Sequence, residues 1–189
     1  LAAPAPPAHP LVTTAFWHYG RSVALAALGR VDEAATEFAA FQSACDAVPE
    51  SRGIGNNTAR TVLAIGLPVA EGQLEYRRGH ADRPFELLRL AVQRDDALKY
   101  DEPWGWMMPV RHALGAQLLE QGRLEEAESV YREDLRLHPE DGWALHGLAE
   151  CMRRSGRTSE AAAVETRFHG AWARADIAIQ ASCFCRRKS

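Results

Sequence analysis

Apolar residues along this chain recur every three or four positions in short stretches, separated by clusters of glycine, charge and turn-forming residues. Leu25, Ala34, Phe38 and Phe41 keep that interval in the first stretch, and Leu114 and Leu118, then Leu145, Leu148 and Met152, keep it in later ones. A period near 3.6 predicts amphipathic helices that each bury one face. Between helices one phrase returns three times, as Gly29-Arg30-Val31-Asp32-Glu33-Ala34, Gly122-Arg123-Leu124-Glu125-Glu126-Ala127 and Gly156-Arg157-Thr158-Ser159-Glu160-Ala161. Its glycine can close a helix in the left-handed conformation, its acidic residues favour the N-terminus of the next helix, and its alanine is small where two helices cross. The repeated element is therefore a helical hairpin.

Gly122 and Gly156 are 34 residues apart, the period of the tetratricopeptide repeat, which this pattern resembles. The unit from about Met108 to Asp141 is nearly a full match, with Leu114-Gly115, Leu118, Tyr131 and Pro139 where that family places its packing residues and its terminating proline. A further unit runs from Gly142 to about Ala175, without the proline, and the first from Ala15 to about Val48. A divergent copy, Gly79-His80-Ala81-Asp82-Arg83-Pro84, joins predicted helices Val62 to Arg78 and Pro84 to about Lys99, with Pro84 in a first turn where its missing N–H costs little. The resemblance implies an all-α, right-handed superhelix of about four helix pairs. Residues 15–181 form the solenoid, with Ala173 to Ala181 as a C-terminal capping helix that hides the last apolar face. Residues 1–14 read as a Pro/Ala-rich linker or fragment edge, and 182–189 as a Cys/basic tail. Glycine spacings of 50 and 43 residues in the middle leave insertions, at 49–61 and 100–107.

Composition narrows the class without naming a job. A net charge of −3 gives no electrostatic reason to expect nucleic acid, and the longest apolar stretch, Thr61 to Ala70, is too short to cross a bilayer. Four cysteines without a disulfide-scaffold spacing favour a reducing, cytoplasmic setting. No nucleophile elbow, P-loop or H-E-x-x-H occurs, so no catalytic residue is assigned, no cofactor is expected, and an enzyme is the less favoured class.

The stretch Tyr100 to Leu119, with Ala127 to Leu135 and Gly142 to Leu148, further resembles the C-terminal part of larger bacterial tetratricopeptide proteins of unassigned activity. That likeness implies a fragment whose missing part carries more repeats. The expected function is a protein- or peptide-binding scaffold module using its concave groove, with homo-oligomeric contacts as a further expectation. The alternative is the C-terminal part of a metal-dependent enzyme or metal-handling protein.

In such arrays the first helix of each pair lines the groove. Alignment on the glycines puts Tyr19, Val69, His112 and His146 in one inward slot, Gln73 and Glu150 in the next, and Tyr76, Arg77, Arg153 and Arg154 beyond them. Those residues suit an extended peptide, with guanidinium groups for a carboxylate or phosphate. The Pro-rich N-terminal segment is a candidate occupant of the groove. Tyr100, Trp104 and Trp106 offer either a ligand-binding wall at the groove mouth or, as the favoured reading, a plug between irregularly spaced repeats. Cys183 and Cys185 form a weak soft-metal pair, and packing is the favoured role for them.

Overall fold

The computed structural model describes residues 1–2, 4–7, 11–183 and 185–186. Among these, eight helices account for nearly all regular structure: α1 (Leu11–Ala27), α2 (Val31–Ala47), α3 (Ala59–Arg77), α4 (Arg83–Asp96), α5 (Val110–Glu120), α6 (Leu124–Leu137), α7 (Gly142–Arg154) and α8 (Thr158–Ala171). The fold is all-α, with neighbouring helices packed as hairpins. The helices fall into two compact units, Leu1–Val110 and Arg111–Ser189.

The repeated phrase builds the same corner four times. Gly29, Gly79, Gly122 and Gly156 all have φ between 74° and 82°, which a side chain would strain. The N–H of each donates to the carbonyl three residues back, and the following N–H to the one five back, as in Gly122 to Leu119 and Arg123 to Leu118, at 3.0 and 2.9 Å. Those two bonds satisfy carbonyls that the helix end leaves open. The arginine and glutamate of the phrase pair with each other: Arg30 donates two hydrogen bonds to Glu33 (2.7 and 2.6 Å), and Arg123 two to Glu126 (2.6 and 3.0 Å). The alanines at 34, 127 and 161 are buried, as is Pro84 in their place.

In the N-terminal unit Ala15, Phe41, Cys45, Val48, Leu63 and Ala70 form a core between α1, α2 and α3. The two insertions meet on this unit. A two-stranded antiparallel hairpin, β1 (Gly53–Ile54) and β2 (Asn57–Thr58), turns at Gly55 and Asn56, and Asp101 of the second insertion accepts from the Asn56 N–H and from Asn57 Nδ2, each at 3.0 Å. Asn57 also exchanges two 2.9 Å bonds with the Lys99 backbone. Gly55 is required there, with φ of 53° and the Asp101 carboxylate 2.4 Å from where a Cβ would stand. Trp106 runs inward from the same insertion and is buried against Phe16 and Tyr19, its ring 6.0 and 5.1 Å from theirs.

The C-terminal unit is organised by Tyr131. Its ring passes between α5 and α7 at Gly115 and Gly147, where a Cβ would stand 2.5 and 2.2 Å from the Tyr131 Cζ. The large-then-small pair seen in the sequence thus serves one aromatic ring from the intervening helix. Without the repeat's proline α8 runs on through Phe168, but it ends at Ala171, and Ala173 to Ala181 is not helical. The capping helix expected there is replaced by an irregular segment that returns across the unit.

Candidate functional site: the inner face of the C-terminal unit

His112, Asp134 and Asp141 sit where α5, α6 and the start of α7 converge. His112 is buried, and its Nε2 lies 2.9 Å from Asp134 Oδ2 and 3.2 Å from Asp141 Oδ1. Burial by itself would lower the imidazole pKa, but hydrogen bonds and charge from both aspartates raise it to about 9, so the ring is cationic at neutral pH. Asp141 also caps α7, accepting from the Ala144 N–H at 2.9 Å, and its carboxyl is held below the ordinary range as His112 and those N–H groups overcome its burial. His138 lies 3.1 Å from the other Asp134 oxygen. The His112, Asp134 and Asp141 ligand atoms lie within 4.8 Å of one another, a spacing a cation can bridge. Here the imidazolium is itself the cation between the carboxylates.

His112 therefore does not line an open groove with its ring. Its backbone carbonyl accepts from Ser182 Oγ at 3.4 Å, and the same hydroxyl bonds that of Tyr131. The Tyr131 ring lies against Gly115 of α5 and Gly147 of α7, and both it and Ser182 are buried. Around Ser182 the returning segment follows α7. Trp172 Nε1 donates to the Ile177 carbonyl at 2.7 Å, a backbone group of Gln180 hydrogen-bonds the His146 ring, and Arg186 Nη1 donates to Glu150 Oε2 at 2.7 Å. His146 and Glu150 lie one turn apart on α7, so the segment tracks that helix face. The His146 ring, 5.4 Å from Phe168, has its pKa lowered by burial.

The other expected site residues are placed as follows. Arg153 pairs with Glu165 of α8, and Arg154 donates to the Leu119 carbonyl and stands 3.7 Å from Glu150. The arginines read as an anion site are thus engaged within the unit. Gln73 is buried in α3 rather than facing solvent, because helix packing covers that side of it. Tyr19 packs between Phe41 and Trp106, with ring centroids 5.6 and 5.1 Å away. Tyr76 is half-buried, edge-on to Phe85 and with Arg77 stacked over it at 5.4 Å. Trp106 is a plug, whereas Tyr100 and Trp104 stay exposed. Cys183 and Cys185 are bonded to each other as a disulfide, so neither thiolate is open to a soft metal. Cys45 and Cys151 are free and buried, each thiol pushed up to about 12 chiefly by burial.

Sequence reasoning missed Asp134, Asp141, Ser182 and Arg186. Asp134 had a legible signal, since it continues the stripe Ala127, Tyr131, Asp134 at helical intervals and puts a carboxylate in a core slot. Leu1, in the Pro-rich segment, lies against Phe16, Trp17 and Gly20 of α1, with its carbonyl accepting from Arg21 at 3.2 Å. Part of that segment, at 3 and 8–10, lies outside the described residues.

Residues 118–164, which span the last turn of α5 through the first half of α8, match the model of the tetratricopeptide repeat family. Residues 118–164 thus carry tetratricopeptide-repeat sequence. No curated protein matches it in sequence. Tetratricopeptide repeats serve in general as protein-interaction scaffolds, and among the described residues no helix is long and apolar enough to cross a membrane.

Proposed function

We propose that this tetratricopeptide protein is a peptide-binding scaffold, and that the inner face of its C-terminal unit, formed by α5 and α7, holds an irregular segment of a partner. The observation that carries this reading is the chain's own non-helical segment 177–183, with Arg186 beyond it, which follows α7 through contacts to His146, Glu150 and the Tyr131 hydroxyl. A face that orders one such segment through side-chain contacts offers the donors and acceptors to order another. Stacked helix pairs supply the rigidity, so little ordering of the receptor opposes binding.

A random-peptide phage library selected on the full chain tests this. Selected peptides should lose binding on His146→Ala and Glu150→Ala and keep it on Ser129→Ala, an exposed position of α6. Peptides indifferent to the α7 substitutions would place recognition elsewhere and end the proposal.

A further inference from the structure

The groove residues named from sequence suggested an anionic ligand, because Arg153 and Arg154 stand near its end. The geometry reverses that sign. Arg154 is turned to the Leu119 carbonyl and Arg153 to Glu165. The groups that meet the returning segment are carboxylates: Glu150, which pairs with Arg186 at 2.7 Å and has Arg154 farther off at 3.7 Å, and Glu120, whose Oε2 is buried and accepts no hydrogen bond among the described residues while sharing the field of Arg186. The guanidinium and the Glu150 side chain are only 21% and 15% exposed, so this pair is far better shielded than the surface pairs of the helix corners. Arg186 is held close to Ser182: its N–H lies 3.4 Å from the Cys183 carbonyl, and Cys183 is bonded to Cys185. Ser182 is seated under Tyr131, and Arg186 reaches the acidic end of α5 and α7.

Resting on the reading of this face as a peptide site, we propose that its ligand class is cationic. It takes a segment in which an arginine follows four positions after a small hydroxyl residue, and the hook Ser182–Arg186 is that ligand bound in cis. A partner with the same chemistry binds by displacing the hook. The site is therefore closed to weak ligands and opened by one that offers the hydroxyl and the guanidinium together.

The test uses a fluorescent synthetic peptide spanning residues 178–189, oxidised between its two cysteines, titrated into the full-length chain. Wild type, whose site is filled, should bind it weakly. The double substitution Ser182→Trp with Arg186→Glu should release the hook and tighten binding by about tenfold or more, and adding Glu150→Gln should remove that gain. Arg186→Ala alone, which keeps Ser182 seated, should give a smaller gain in the same direction and serves if the double variant does not fold by circular dichroism. Equal affinity for wild type and the released chain, or binding indifferent to Glu150→Gln, would overturn the proposal. If phage-selected peptides bind the α7 face but lack arginine and do not compete with the hook peptide, the cationic assignment fails while the peptide-binding reading stands.

Discussion

Pro68 lies inside α3 and has no N–H to give the carbonyl of Ala64, one turn earlier. Arg94 of α4 supplies the missing donor, its Nη1 standing 2.5 Å from the Ala64 oxygen. A half-buried carbonyl stripped of its partner costs at most about 1–3 kcal/mol, because water replaces part of the lost bond. Arg94→Ala should therefore destabilise the N-terminal unit by up to that much in urea unfolding, and should cost clearly less in a Pro68→Ala background, where a backbone N–H is restored. Equal costs in the two backgrounds would show that Arg94 acts by some other contact. Neither residue stands out in the sequence, because 26 positions separate them and nothing local pairs an arginine with a distant carbonyl. The same holds for His112, whose residue type was noticed but whose partners arrive from α6 and from the α7 cap.

At the scale of elements, two kinds of glycine carry the hairpins, and they fail differently. Gly122 has positive φ and open space around it, so Gly122→Ala meets only backbone strain, about 1 kcal/mol. Gly147 lies inside α7, and Gly147→Ala would drive a Cβ into the Tyr131 ring. That substitution should cost about 3 kcal/mol or more, and much of the loss should vanish when Tyr131→Leu is added, whereas the Gly122 loss should not respond to Tyr131. Additive losses for the Gly147 and Tyr131 pair would refute the packing account. The insertions form a third case. Their mutual attachment through Asp101 was not legible in the sequence, since it joins loops more than 40 residues apart. Asp101→Ala should speed amide hydrogen exchange at 53–58 while leaving α5 to α8 unchanged. Unaltered protection in the hairpin would mean that the staple is incidental.

Over the whole molecule, the buried His112 cation sets a pH dependence. Its folded pKa of about 9 stands above its ordinary 6.5, so the stabilisation is fully present below about pH 6.5 and is lost as pH rises toward 9. The span corresponds to a contribution on the order of 3 kcal/mol. The stability difference between wild type and His112→Gln should shrink steadily across that window, and comparing the two chains cancels the opposite contribution of His146, whose lowered pKa favours the fold above 6.5. A difference that does not change between pH 6.5 and 9 would show that the imidazole is neutral in the folded state.

The sequence by itself determined the repeat and the helix corners. These follow from local rules: glycine geometry at a helix end, a 3.6-residue apolar period, and small residues at crossings. Only the tertiary structure decided what each inward residue meets. It buried Gln73 and the His112 ring, drew Tyr19 and Trp106 into packing, engaged Arg153 and Arg154, and returned the C-terminal segment as a hook where a capping helix was expected. The physical reason is that helical period fixes which way a residue points, while the partner it finds depends on chain that arrives from 20 to 70 residues away. The sign of the ligand turned on that same difference, since pairing within the fold engages the arginines while the carboxylates meet the hook.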